Sequence, residues 1–152
     1  MKFTIDAEVI ELDAYPSLLF VDKSSTTSHK DSLATLATYF KKEMRFDHLQ
    51  FDSNMYGNDD YTGFLILKRA MDLVEHEDHY PSRIIGGGIF VKANENFKLD
   101  WIWIHPFERN RGTLKSTWKE FQKKFGYFDV TEPLSVQMSA FLAKHPAASF
   151  RR

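Results

Sequence analysis

The spacing of apolar and polar residues predicts strands in two parts of the chain. Residues 3–12 alternate between apolar and polar, and Leu18–Val21 is a short apolar run, so two strands are predicted near the start. Three longer apolar stretches predict further strands at 61–68, 83–92 and 97–105. Only the polar tripeptide Asn94-Glu95-Asn96 separates the last two. Such a short connection predicts an antiparallel hairpin.

Two segments outside these strands have the three-to-four-residue apolar period of a helix packed on a core. Residues 31–45 form the first, and Ser28 with Asp31 is its predicted N-terminal capping pair. Residues 135–145 form the last, which Pro146 would stop.

The clearest helix is Thr113–Phe125, which has a lysine-rich face opposite an apolar face and is followed by Gly126 as a C-terminal cap. It lies between the strand 97–105 and a strand predicted at 127–131. A strand, a helix and a second strand in this order form a crossover, so the two strands should be parallel. The sequence thus predicts one α/β (α+β) domain over residues 1–152. Its sheet would contain the antiparallel hairpin and the parallel pair of the crossover.

Composition limits the classes of function. The net charge is −1, so neither nucleic acid nor an anionic membrane is expected as a partner. The absence of cysteine excludes disulfides, thiolate catalysis and thiolate metal sites. No apolar run approaches the ~20 residues that span a bilayer, and charges interrupt the N-terminus too early for a secretory signal. A cytoplasmic protein is the expectation.

The segment between the strand 97–105 and the following helix carries the candidate chemistry. A helix start offers unpaired backbone N–H groups and a positive dipole end, which attract anions. Gly112 removes a side chain where backbone would approach a ligand, and Arg109 and Arg111 supply donors suited to phosphate. These features predict a site for a diphosphate. The alternative is a basic turn that merely leaves the strand.

Pro106, Arg109 and Gly112 stand where the GNAT superfamily of N-acetyltransferases has its signature, a strand ending near proline and then Arg/Gln-x-x-Gly-x-Gly/Ala at a helix start. Residues 84–89 resemble the glycine-rich third strand of such enzymes, and the strands at 97–105 and 128–131 resemble the fourth and fifth. The resemblance implies a GNAT-like fold, in which a mostly antiparallel central sheet flanked by helices contains one splayed parallel pair. It also implies transfer of an acetyl group from acetyl-CoA to an amine of an unidentified acceptor. The alternative is an inactive GNAT-like module that binds CoA or a protein.

The resemblance also implies which residues bind acetyl-CoA. The diphosphate would lie on Arg109, Asn110, Arg111, Gly112, Thr113 and Leu114, and the backbone of Ile102, Trp103 and Ile104 would orient the thioester. Leu114 departs from the Gly or Ala usual in the family, so its side chain must turn into the core. Because few residues follow the helix 135–145, the family's sixth and seventh strands are expected to be missing or replaced. The N-terminal strands within 3–21 are candidates to fill that edge.

Two residues are candidates for proton transfer. Glu132 follows the fifth strand and resembles the acid in the Ser-Asp-Pro segment of cohesin-type acetyltransferases, but it could also be an ordinary loop carboxylate. His105 ends the fourth strand and could act as a base, or could shape the turn before Pro106 through a backbone hydrogen bond. The last helix lacks the tyrosine that often serves as acid in the family, and Tyr127 is the nearest in sequence.

The remaining titratable groups are not predicted to take part in the chemistry. Asp100 is expected to be solvated near the end of the hairpin. His76 and His79 lack an evident third ligand, so no metal is expected. The expected partners are acetyl-CoA and an amine-bearing small molecule or protein. The oligomeric state is open, a homodimer being one option.

Overall fold

The computed structural model describes residues 9–10, 16–45, 49–69, 82–93, 95–109, 111–131 and 136–144. The strands of this part are β1 (Val9–Ile10), β2 (Leu18–Val21), β3 (Tyr61–Arg69), β4 (Ser82–Ala93), β5 (Asn96–Ile104) and β6 (Phe128–Val130). The helices are α1 (Thr27–Met44), α2 (Thr113–Phe125) and α3 (Val136–Lys144), with short 3-10 turns at Ser53–Met55 and Pro106–Glu108.

The strands form one sheet in the order β2-β3-β4-β5-β6. Neighbours are antiparallel except β5 and β6, which are parallel. The predicted hairpin and the predicted parallel crossover are therefore confirmed. The mixed, mostly antiparallel α/β architecture is confirmed as well.

Two predictions about the N-terminal part are wrong. The first helix begins at Thr27 rather than at residue 31, because the hydroxyl of Thr26 caps it by accepting from the His29 N–H at 3.3 Å. β2 pairs with β3 and so lies at the edge of the sheet opposite β6, where it cannot replace strands beyond β6. β1 pairs only with the first two residues of β4, and the rest of the strand predicted at 3–12 lies outside the described residues.

A separate apolar core covers each face of the sheet. On the α1 face, Leu33 and Leu36 of α1 pack on Leu65, Trp101 and Trp103. On the opposite face, α2 and α3 contribute the side chains Trp118, Phe121 and Met138, which pack on Phe64, Phe90 and Phe128. In the described part of the chain, no helix combines the length and apolar character needed to cross a bilayer.

Three consecutive glycines in β4 allow the layers to approach closely. A Cβ built on Gly87 would lie 2.5 Å from the Phe64 oxygen and 2.6 Å from Leu36 Cδ1 of α1. A Cβ on Gly86 would lie 2.7 Å from the Trp103 oxygen. A side chain at these positions would therefore push apart the sheet itself or the sheet and α1.

Candidate functional site

The parallel pair of strands separates after three residue pairs. Phe97, Lys98 and Leu99 of β5 lie opposite Phe128, Asp129 and Val130 of β6. The last bond between them runs from the Thr131 N–H to the Leu99 oxygen at 2.9 Å. β5 continues to Ile104, whereas in the described residues the pairing with β6 goes no further. We call the opening beside residues 100–104 the fork.

A bulge in β5 lies at the closed end of the fork. Between β4 and β5 the register passes from Phe90 opposite Leu99 directly to Ile89 opposite Trp101, which makes Asp100 the extra residue of the bulge. Asp100 is half-buried, whereas the sequence predicts a solvated residue near the hairpin end. Continuing the parallel register places Thr131 beside it, and Thr131 Oγ1 is buried with no hydrogen-bond partner among the described residues.

Alternate residues of β5 direct their backbone groups into the fork. The His105 N–H donates to the Ile85 oxygen at 2.8 Å, so the backbone groups of His105 and of every second residue before it bond to β4. Trp103 is one of these residues and lies opposite Gly87. Ile102 and Ile104 alternate with these residues, so their N–H and C=O groups point away from β4 into the fork. Of the three residues predicted to orient a thioester, these two supply the exposed backbone groups.

The turn after β5 is organised by His105. Its Nδ1 accepts from the Phe107 N–H at 3.2 Å, and its carbonyl oxygen accepts from the Glu108 N–H at 2.8 Å. The imidazole is only 6% exposed and packs edge-on against Trp103, with ring centroids 5.9 Å apart. An accepting Nδ1 places the ring proton of a neutral imidazole on Nε2. His105 therefore has the turn-shaping bond that was the alternative to its role as a base.

The start of α2 presents backbone amides without a side-chain cap. Gly112 precedes the helix with φ 80° and ψ 2°, a left-handed conformation that favours glycine, and no side chain among the described residues caps the helix. The first bond of the helix runs from the Ser116 N–H to the Gly112 oxygen at 3.1 Å, so the N–H groups of residues 113–115 precede the helical ladder. Leu114 packs its side chain on the α2-side core, which leaves its amide at the helix start.

The two arginines of this turn have different surroundings. Arg111 is exposed, with its side chain at the rim of a cleft of about 390 Å³ beside the first turns of α2. The Arg109 guanidinium instead makes a bidentate ion pair with Glu43 of α1, with Nη1–Oε2 2.8 Å and Nη2–Oε1 2.7 Å. Its Nε donates to the Ile104 oxygen at 2.7 Å. In this conformation the Arg109 side chain is directed to protein groups rather than to the start of α2.

Glu43 is a residue whose role the sequence did not indicate. The hydrogen bond from Arg109, with a further bond from Trp103 Nε1 at 2.9 Å, holds the pKa of the Glu43 carboxyl below its usual value against the effect of partial burial. One signal was present, since a carboxylate in the last turn of a helix faces the negative end of the dipole and needs a positive partner. The local sequence could not identify that partner, which is 66 residues away.

Some predicted residues cannot be placed in this arrangement. Asn110, Glu132 and the pair His76 and His79 lie outside the described residues. Tyr127, the tyrosine nearest in sequence to the last helix, is 42% exposed. Within the described ranges, no three histidine or acidic side chains are grouped as metal ligands would be.

A mostly antiparallel sheet whose single parallel pair opens beside an uncapped helix start is the arrangement of the GNAT fold. Solved structures agree. An aminoglycoside acetyltransferase, meta-AAC0020 from an uncultured soil metagenomic sample in complex with sisomicin, superposes with a TM-score of 0.52 at 10% identity over 86% of this chain and 85% of that chain. The complex of the same enzyme with trehalose has a TM-score of 0.51 at 12% identity, again over 86% of this chain and 85% of that chain.

The aminoglycoside N-acetyltransferase AAC(6')-Iy in complex with CoA has a TM-score of 0.49 at 13% identity, covering 89% of this chain and 91% of that one. No protein-family model matches the sequence, and no curated protein does. Aminoglycoside N-acetyltransferases are members of the GNAT superfamily, so the resemblance in the sequence is confirmed at the level of the fold. The chain has the GNAT fold.

Proposed function

We propose that this protein is an N-acetyltransferase that transfers the acetyl group of acetyl-CoA to an amine. The observation that carries the proposal is the adjacency of the fork to the uncapped start of α2. The helix start groups donors for a diphosphate, and the fork offers backbone groups to an extended chain with amides. We call the two together the donor site.

The diphosphate would be bound chiefly by backbone. The amides of Thr113, Leu114 and Lys115 lie at the positive end of the α2 dipole and have no side-chain cap. Arg111 is exposed beside them and can add a charged donor. The Arg109 side chain is engaged by Glu43, so its contribution would be to hold the turn.

The pantetheine arm would lie in the fork as an additional strand. The Ile102 C=O and the Ile104 N–H are available to it, whereas the Ile104 oxygen already accepts from Arg109 Nε. The edge from Asp100 to Ile104 is roughly 13 Å long at about 3.3 Å per residue. An extended pantetheine arm can follow such an edge, which would bring the thioester near the bulge at Asp100.

The chemistry follows from this placement. A neutral amine would attack the thioester carbonyl, forming the new C–N bond as the C–S bond breaks and CoA leaves as the thiolate. A backbone N–H in the fork, such as that of Ile102, can stabilise the oxyanion. Asp100 is a described carboxylate at the closed end of the fork, so we add it to Glu132 as a candidate to accept the amine proton. His105 could accept that proton only after its Nδ1 releases the Phe107 N–H.

The alternative function is a module that binds CoA without turnover. It is favoured by one observation, the absence from the last helix of the tyrosine that often serves as acid in the resembled family. The two functions differ in whether thiol is released. Acetyl-CoA would be incubated with the protein and a panel of amines that includes aminoglycosides, polyamines and lysine peptides. Amine-dependent CoA release supports the enzyme, whereas CoA binding without release for any amine supports the module. If CoA does not bind at all, both functions are excluded.

A further inference from the structure

The carboxylate of Glu43 links the end of α1 to the turn before α2. It accepts from both terminal nitrogens of Arg109, at 2.8 and 2.7 Å, and from Trp103 Nε1 at 2.9 Å. One side chain of α1 therefore contacts both β5 and the turn that follows it. Glu43 and Arg109 are 23% and 26% exposed, so water shields the ion pair less than at an open surface.

The other edge of the guanidinium is also fixed. Nε donates to the Ile104 oxygen, and the guanidinium carbon lies 5.8 Å from the centre of the Trp103 ring, within cation–π range. Ile104 is the last residue of β5, and Arg109 follows the 3-10 turn Pro106–Glu108. The guanidinium thus connects the end of the strand, the end of the turn and α1, which fixes the path by which the chain reaches Gly112.

We propose that Glu43 is a positioning residue of the donor site. Through Arg109 it holds the 105–109 turn so that the amides at the start of α2 and the N–H of Ile104 face one ligand. This inference rests on the proposed function. The alternative is a direct role for Arg109, in which its guanidinium binds the phosphate and Glu43 competes with the phosphate for the guanidinium. The two roles predict opposite effects when Glu43 loses its charge.

The test compares Glu43→Gln with Asp59→Asn. The neutral amide of Glu43→Gln keeps an oxygen for Trp103 but loses the charge-assisted pair with Arg109. Asp59 pairs with Lys23 in an exposed ion pair away from the donor site, so it is the matched control. We expect the calorimetric Kd for CoA to rise about tenfold in Glu43→Gln and to stay unchanged in Asp59→Asn. The KM for acetyl-CoA should rise similarly, with kcat at saturating donor retained. An unchanged or lower Kd in Glu43→Gln overturns the proposal.

A second variant tests whether the two residues act as a unit. Arg109→Lys keeps the charge but cannot make the bidentate pair and the Ile104 bond together. It should weaken CoA binding in the wild-type background and have little further effect in Glu43→Gln. Fully additive losses contradict positioning of the turn through Arg109.

A ligand-free measurement separates this inference from the proposed function. The N–H groups of Glu108 and Arg109 donate within the turn, to the oxygens of His105 and Pro106. Their hydrogen exchange should be faster in Glu43→Gln than in wild type or Asp59→Asn. If wild type does not bind CoA, the proposed function fails while this exchange still decides whether Glu43 holds the turn. Equal exchange in all three proteins refutes the positioning role.

Discussion

Gly112 combines a backbone requirement with a position at the proposed diphosphate site. Its φ of 80° is costly for residues with a Cβ, yet a Cβ there would have no neighbour within 4 Å. Gly126, at the other end of α2, also has a positive φ and open space around it. The two glycines differ in whether a ligand is expected beside them and in ψ, which is 2° at Gly112 and −121° at Gly126, outside the left-handed helical region.

Gly112→Ala should therefore weaken CoA binding by roughly tenfold, equivalent to about 1.4 kcal/mol. It should also lower the free energy of unfolding by about 1 kcal/mol through backbone strain. Gly126→Ala should lose at least as much stability, because a ψ of −121° at this φ is less accessible to a residue with a Cβ, and should keep its affinity. Calorimetry gives the affinity, and urea unfolding gives the stability. Equal CoA affinities of the two variants would show that the start of α2 does not bind the diphosphate.

The candidate bases can be ranked by single substitutions. Asp100→Asn should lower kcat by about 10²–10⁴-fold if its carboxylate accepts the amine proton, with little change in the Kd for CoA. Asp129→Asn, on the neighbouring strand, is the control. Steady-state kinetics with the best amine of the panel would measure both. Full activity of Asp100→Asn together with loss in Glu132→Gln would assign the proton to Glu132 instead.

At the scale of elements, the ion pair between α1 and the turn should make stability depend on pH. The pKa of Glu43 in the folded protein lies below its reference value of 4.5, because Arg109 stabilises the carboxylate. The unfolded state then binds more protons near that pH, so stability rises with pH there. The stabilisation is fully present above 4.5 and is lost as the pH falls through the lowered pKa.

Urea unfolding between about pH 3 and pH 7 would measure this effect. Wild type should be more stable than Glu43→Gln at neutral pH, and the difference should shrink on acidification. Glu95→Gln, an exposed position in the β4–β5 hairpin, should follow wild type throughout. A difference between wild type and Glu43→Gln that stays constant down to the acid end of this range is incompatible with a lowered pKa of Glu43.

Local signals explain which elements the sequence predicts well. It predicts α2 with its observed ends, because a glycine stands at each end and its apolar face is unambiguous. It misses the start of α1, because the polar run before that helix offers several capping hydroxyls and only contacts in the folded chain select Thr26. The Arg109–Glu43 pair joins residues far apart in sequence, so the signature that identified Arg109 could not indicate where its side chain points.

At the scale of the whole molecule, the sheet separates two aromatic-rich cores. Phe121 is fully buried on the α2 side, and its ring contacts those of Phe64 and Phe90, with centroids 4.6 and 4.9 Å away. Phe107, in the turn that follows β5, is 61% exposed. The same substitution, phenylalanine to alanine, can therefore be made at a buried and at an exposed position to measure what ring burial contributes to stability.

Phe121→Ala should reduce the free energy of unfolding by about 3–5 kcal/mol, from lost burial and the cavity left behind. Phe107→Ala should change it by less than about 0.5 kcal/mol. Thermal or urea unfolding monitored by far-UV circular dichroism measures both. Similar losses in the two variants would contradict the assignment of the α2-side core.

The order of strands in the sheet was only partly predictable. The hairpin and the crossover fix β4, β5 and β6 relative to one another, because short or helical connections leave few arrangements. No such connection restricts β2, which is separated from β3 by a long helix, and the edge it occupies depends on pairing with β3. The donor-site strands could thus be placed from the sequence, while the opposite edge could not.

Because Gly87 has no side chain, α1 can approach the sheet closely, and this bears on Glu43 further along that helix. Leu36 Cδ1 lies in the space that a methyl group would fill, so α1 and the sheet are in direct contact at this point. Glu43 lies about two turns further along the same helix. Gly87→Ala would bring a methyl group against the Phe64 oxygen of β3 and against Leu36, so it would disturb the contact between the sheet and the helix that carries Glu43.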